Sequence, residues 1–201
     1  MNKLLLAFAV IILSSSCHSN ESTQSASTDS TLNKKDDSTT KVVYQEQKID
    51  TCVLGDINKD GIVDSAFIQT PTLKITDASD FGCANDSCFV TIKFSNKLPD
   101  LIHSNAIHGL VFATADINED GISEIVYAPD WFSSCWSGLF IYTVSKNEWK
   151  KIGEGSYYSC NEDADLTKRI KKVKKNCFTI FNDEMNDDGK MKKKAQTITL
   201  E

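Results

Sequence analysis

Apolar and polar residues alternate in short runs along most of this chain from residue 50 onward, the period of two that marks strands with one buried face. CFVTIKF (88–94) shows it plainly, with Val90, Ile92 and Phe94 on one face and Phe89, Thr91 and Lys93 on the other. Runs at DTCVLGD (50–56), IVDSAFIQT (62–70), GLVFATAD (109–116) and SEIVYAP (123–129) predict further strands. GLFIYTV (138–144) and EWKKIGEG (148–155), joined through SKN, predict a hairpin, and NCFTIFN (176–182) with AQTITLE (195–201) predicts another. One segment carries the helical period instead. In DADLTKRIKKVKK (163–175), Leu166, Ile170 and Val173 fall on one face at spacings of four and three, behind acidic residues suited to a helix start. The expectation is a mostly β domain of antiparallel hairpins, with one short helix near the C-terminus.

The strands are organised by a repeat. Strand, acidic loop, strand occurs at 50–70 and again at 109–129, and the loops read GDINKDGIVD (55–64) and ADINEDGISE (115–124). Counted from its first Asp, the first loop places Asp56, Asn58, Asp60 and Asp64 at positions 1, 3, 5 and 9, with Gly61 at position 6. The second places Asp116, Asn118, Asp120 and Glu124 there, with Gly121 at position 6. The turn NDEMNDDGK (182–190) matches in part: Asn186, Asp188 and Gly189 align, but Glu184 stands at position 1 and Lys192 at position 9. That turn has the shape of the other two and lacks their ligands. Repeats of this length suggest repeated sheet units such as propeller blades.

Calcium takes six to eight hard oxygen ligands in forgiving geometry. Alternate side chains of a tightly curled loop supply them, and the carbonyls of Ile62 and Ile122 at position 7 can add one each. Glycine at position 6 permits the sharp turn. Without a cation, three carboxylates a few ångströms apart repel one another. Lys59 sits at an outward position of the first loop, and its counterpart Glu119 makes the second loop more acidic still. Mg²⁺ demands a tighter octahedron and holds its water, so Ca²⁺ is the expected ion. An EF-hand is disfavoured, because Phe67 and Tyr127 stand where its bidentate Glu belongs and the flanks read as strands.

These residues carry a resemblance. GDINKDGIVDSAFI and ADINEDGISEIVYA are similar to the calcium hairpins of FG-GAP or VCBS repeats, the units of integrin-like β-propellers. The resemblance covers about twenty residues around each loop and implies the same ligand roles for the positions just named. Two clear units and a degraded third do not close a six- or seven-bladed ring. The expected architecture is therefore a small or partial propeller-like assembly, capped by its own ends or by a partner.

The N-terminus adds a location. MNKLLLAFAVIILSSSC has an early Lys, an apolar run from Leu4 to Leu13 too short to span a bilayer, and small residues leading into Cys17. This resembles a bacterial lipoprotein signal, with Ser14 where Leu is usual. It implies a signal peptide over 1–16 and lipidation of Cys17, hence export and anchoring to the bacterial outer membrane on its periplasmic or surface face. Residues 18–41 hold one Leu and no aromatic residue, the composition of a disordered tether, which leaves 42–201 as the folded domain. Six cysteines remain, an even count that reads as disulfides in an exported chain. Cys83 and Cys88 flank a tight loop and are expected to pair; Cys135–Cys160 and Cys52–Cys177 follow by elimination.

Ten of the 22 Lys and Arg residues lie in KRIKKVKK (168–175) and KMKKK (190–194). In a chain of net charge −6 they read as a solvated face, and nucleic acid is not an expected partner. PDWFSSCWSG (129–138) places Trp131, Phe132 and Trp136 around Cys135, either as a binding surface or as packing over a disulfide. His103 and His108 have no neighbouring ligand motif and read as structural, and no nucleophile motif supports catalysis. The leading expectation is a calcium-stabilised, lipid-anchored envelope module that binds a protein or glycan and is not an enzyme. Two others stand beside it. Small propeller-like lipoproteins with such loops resemble immunity proteins that inhibit cell-wall lysozymes, and a Ca²⁺-dependent hydrolase would need an open coordination position and a base such as His103 or His108.

Overall fold

Val90 and Ile92 are fully buried while Phe89 and Lys93 face outward, so the alternation read in CFVTIKF is the alternation of a strand, β6 (Phe89–Phe94). The computed structural model describes residues 42–76, 80–132, 134–160 and 165–201. The expected signal peptide, Cys17 and the expected tether lie outside the described residues. What is described is mostly β, arranged in four antiparallel sheets, none of them closed. Among the described residues no helix is long and apolar enough to cross a membrane.

Three of the sheets follow one another along the chain. The first joins β2 (Ile49–Gly55), β3 (Asp64–Gln69), β6 and β7 (Leu101–Ser104), each strand beside its predecessor. The middle sheet is β8 (His108–Ala113), β9 (Ile125–Asp130), β10 (Trp136–Ser145) and β11 (Glu148–Tyr158). The last is β12 (Ile170–Lys174), β13 (Cys177–Met185) and β14 (Met191–Thr199). A small sheet of β1 (Val43–Gln45), β4 (Leu73–Ile75) and β5 (Phe81–Cys83) is built partly from the excursion between β3 and β6. The β10–β11 hairpin turns on Lys146 and Asn147, both at positive φ, the two-residue geometry that matches strand twist.

Two apolar clusters hold the three sheets together. Ala66, Ile68, Val90 and Ile92 of the first sheet pack with Val111, Ile125, Tyr127 and Tyr142 of the middle one. Phe112, Val126, Ala128, Leu139 and Ile141, on the other face of the middle sheet, pack with Phe178 and Ile180 of the last. The middle sheet is therefore covered on both faces, which is why β9 is buried from Ile125 to Pro129 and its sequence does not alternate. The last sheet approaches closely because β11 carries glycines where it crosses β13. A Cβ on Gly153 would lie 2.8 Å from the Phe178 ring, and one on Gly155 would lie 2.6 Å from the Ile180 side chain.

Of the helix expected over 163–175, residues 163 and 164 lie outside the described residues, and the rest forms a single 3₁₀ turn, Leu166–Arg169, followed by strand β12. The start signal was real: Asp165 caps the turn by accepting from the Thr167 amide at 3.2 Å. The turn stops because Ile170 pairs with Ile180 across the sheet, and because Arg169 turns inward. There its guanidinium grips both oxygens of Asp183 at 2.7 and 2.8 Å, each side chain about 95% buried. Arg169 thus leaves the basic face to which its neighbours belong. Val173, on the apolar face that the helical spacing predicts, is exposed.

The cysteines divide into two disulfides and two thiols. Cys83–Cys88 and Cys135–Cys160 are bonded. The expected Cys52–Cys177 bond is absent, and both are free thiols. Cys52 lies on β2 of the first sheet against its core, whereas Cys177 is buried on β13 beside the Thr199 hydroxyl, with the middle sheet between those two layers.

Candidate cation loops and an aromatic groove

The two acidic loops have one conformation. Position 4 is left-handed in both, Lys59 at φ 61° and Glu119 at φ 62°. Position 6 is left-handed too, Gly61 at 86° and Gly121 at 99°, which is what glycine allows there. The same hydrogen bonds recur. Asn58 and Asn118 accept from the amides of Asp60 and Asp120 at 3.1 and 2.9 Å. Asp56 and Asp116 accept from the amides of Gly61 and Gly121 at 2.9 and 3.1 Å. Asp60 and Asp120 accept from the amides of Ile62 and Ile122 at 2.8 and 2.9 Å. The position-9 carboxylates, Asp64 and Glu124, are buried and accept from the amides of Ile57 and Ile117 at 3.1 and 2.5 Å.

Ile57 and Ile117, at position 2, are the anchors that the residue types alone did not single out. Each is the one apolar residue among polar neighbours at positions 1 to 5, and each is almost completely buried. Their carbonyls also tie the sheets in series. Ser123 of the second loop donates its amide to the Ile57 carbonyl at 2.7 Å, and Asn176 donates to the Ile117 carbonyl at 2.9 Å. Asn176 lies in the two-residue link between β12 and β13. That link, not the turn at 186–190, holds the place in its sheet that the acidic loops hold in theirs. The turn at 186–190 joins β13 to β14, and Glu184 before it is taken by Lys192 and Lys194.

The loops differ in their electrostatics. Lys59 does not simply point away: it crosses to the second loop and meets Asp116 Oδ2 at 2.7 Å. Lys172 donates to the Asp116 carbonyl at 2.6 Å and to Glu119 at 3.0 Å. Burial alone would raise the Asp116 carboxyl, but Lys59 and the Gly121 amide hold it below its usual range. At Glu124 burial dominates and pushes the carboxyl up, against the Ile117 amide. In the second loop two buried carboxylate oxygens, Asp116 Oδ1 and Glu124 Oε1, make no hydrogen bond of normal geometry, although the Thr143 hydroxyl lies close enough to Glu124 to oppose the effect of burial on its carboxyl. Asp64, by contrast, is met on its second oxygen by the Ser95 hydroxyl at 3.5 Å. Among the described residues no three Asp, Glu, His or Cys groups already stand close enough together to hold a metal ion. The side chains instead order the loop backbone.

Of the remaining candidates, Trp131 and Trp136 are exposed, while Phe132 is half-buried and packs on Phe81 at 6.3 Å. Trp131 meets Phe132 edge-on at 4.9 Å, and Trp136 meets Tyr158, its partner across the hairpin, at 5.4 Å. The two indoles remain about 40% exposed. His103 reaches the Tyr142 hydroxyl through Nδ1 at 3.0 Å, and burial lowers its pKa. His108 is not isolated from carboxylates: it bridges Asp130 at 3.0 Å and Asp50 at 2.9 Å, which the sequence hid by placing the latter 58 residues away.

Compared with protein-family models, with curated proteins and with solved structures, the chain matches none of them.

Proposed function

We propose that the protein is a calcium-stabilised binding module of the bacterial cell envelope, anchored through Cys17, in which the two acidic loops hold Ca²⁺ as a structural ion. The observation that carries this reading is the pair of buried oxygens in one loop, Asp116 Oδ1 and Glu124 Oε1, that make no hydrogen bond of normal geometry. A buried carboxylate oxygen without a partner costs about 1–3 kcal/mol, and a divalent cation removes that cost. Asp116, Asn118, Asp120, Glu124 and the Ile122 carbonyl would hold it. Asp56, Asn58, Asp60, Asp64 and the Ile62 carbonyl are the equivalent set in the first loop, whose shared backbone geometry argues for a shared role. The ion would supply positive charge at the hairpin tips, with no part in catalysis.

The three serial sheets fit a partial propeller-like assembly. Each runs as a meander, and each later sheet is tied to its predecessor by the same amide-to-carbonyl bond. The partner would be a protein or a glycan, met by the corner at Trp131, Phe132 and Trp136. Thermal melts of the full chain in EDTA and in Ca²⁺ test the cation reading. A melting temperature that falls with EDTA and returns with Ca²⁺ supports it, and identical melts overturn it.

A further inference from the structure

Beside the aromatic corner, the end of β7 and the start of β10 enclose an open groove of about 380 Å³. Its floor and walls include Trp131, Trp136 and Phe140, with Asn105, Ser137 and His103 between them. Among the described residues no Asp, Glu, Lys or Arg lines it, in a chain of which 25% of the residues are charged. From these features we infer that the groove is a binding site for a neutral pyranose ring of a glycan. This deepens the reading of residues 129–138 as the partner-facing loop and does not depend on the cation.

Three properties select that ligand class. The volume falls within the ~300–1,000 Å³ of small-ligand sites, and the groove is open rather than enclosed, which suits one unit of a longer chain. The aromatic surfaces are held before any ligand arrives. Trp136 is braced by Tyr158, Trp131 by Phe132, and the loop between them is tied by Cys135–Cys160. Pre-ordered aromatic side chains lose little entropy on binding, and they offer flat apolar faces to the C–H face of a sugar. The polar groups are uncharged and still have capacity. Asn105 makes no side-chain hydrogen bond among the described residues, although its own amide is fixed to the Cys88 carbonyl at 2.8 Å. His103 spends Nδ1 on Tyr142 and keeps Nε2. The Ser137 hydroxyl donates to the Pro129 carbonyl and also meets the Tyr157 hydroxyl, which leaves it one lone pair with which to accept. Lys151, whose ammonium lies 5.5 Å from the Phe140 ring centroid, is already paired with Glu154. A phosphate or an acidic peptide would therefore find no unpaired cation among the described residues here, and a purely apolar ligand would strand the polar groups.

The test is a titration of the full chain in detergent with neutral hexose and N-acetylhexosamine oligosaccharides, and in parallel with uronate oligosaccharides, followed by tryptophan fluorescence and calorimetry. A saturable response to a neutral oligosaccharide is expected. It should weaken roughly tenfold or more in Trp131→Ala and Trp136→Ala. Asn105→Gly, which keeps the left-handed backbone that Asn105 adopts at φ 56°, should weaken it several-fold with little change in the melt, which guards against misfolding of the Trp variants. Trp149→Phe should leave it unchanged, because Trp149 sits away from the groove with its indole nitrogen on the Pro99 carbonyl. Binding of uronates alone, binding that survives both Trp substitutions, or no response from a chain that melts cooperatively would each overturn the assignment. The calcium reading is judged separately, by the EDTA melt.

Discussion

Glu124→Gln separates the two roles of the second loop. The substitution keeps the size and the acceptor that meets the Ile117 amide, but removes the charge whose Oε1 makes no hydrogen bond of normal geometry. If the loop holds Ca²⁺, one site at a hundredfold excess over its Kd adds ~2.7 kcal/mol to the wild type. For a domain of this size each kcal/mol moves the melting temperature by ~2–4 °C, so the calcium-dependent rise from this loop is about 5–10 °C. The variant should lose that increment and keep the one from the first loop. In EDTA the order reverses. An uncompensated buried carboxylate costs about 1–3 kcal/mol, so the metal-free variant should melt as high as the metal-free wild type or higher. The pH dependence has a defined sign. Burial raises the Glu124 carboxyl, so its contribution to metal-free stability is fully present below the unfolded value of about 4.3 and is lost as pH rises through the raised one. Mild acidification should therefore help the metal-free wild type through this group and not the variant. Differential scanning calorimetry in EDTA and in Ca²⁺ reads all of this. A variant that retains the whole calcium-dependent rise, or that melts well below the wild type in EDTA, would refute the reasoning.

Other outcomes follow from particular contacts. Lys59→Gln removes a cation held 2.7 Å from Asp116, so calorimetric titration should show tighter calcium binding at the second loop; weaker binding would contradict the contact's meaning. Asp183 would be raised by burial, but Arg169 and the Tyr158 amide hold it low, so its contribution is present above about pH 4 and is lost as pH falls through the depressed value. Asp183→Asn should flatten the acid limb of the stability profile and destabilise the neutral protein by about 3–5 kcal/mol, as stranding Arg169 requires. Gly155→Ala should cost about 1–3 kcal/mol in a chemical melt, because its methyl group would meet Ile180 and Asn182. Timed alkylation with peptide mapping should modify Cys52 before Cys177, and a recovered Cys52–Cys177 peptide would contradict the layer assignment.

Strands that bury one face were legible from their alternation, as β6 shows, and the two-residue β10–β11 turn was legible in SKN. The short strands β1, β4 and β5 carried too few residues to show a period. The segment of β12 carries a helical signal because Leu166, Ile170 and Val173 fit a 3.6-residue period, whereas cross-strand pairing with β13 makes it a strand. The same period masks the first hairpin of the last sheet, β12–β13, so the repeat in the sequence points to the later turn at 186–190. Within the loops, spacing identified the matched polar positions and the turn-forming glycines. It did not identify Lys59 at Asp116 or Asp50 at His108, because both pairs join residues more than fifty positions apart.

Covering the middle sheet from both sides has a consequence for biogenesis. A chain delivered N-terminus first completes β8 to β11 while residues 166–201, which supply one of the two covers, are still on the way. Until they arrive, Phe112, Val126 and Ile141 have nothing to lie against. Truncation before Phe178 should therefore yield a sticky, protease-sensitive product rather than a smaller working protein, and quality control should clear it.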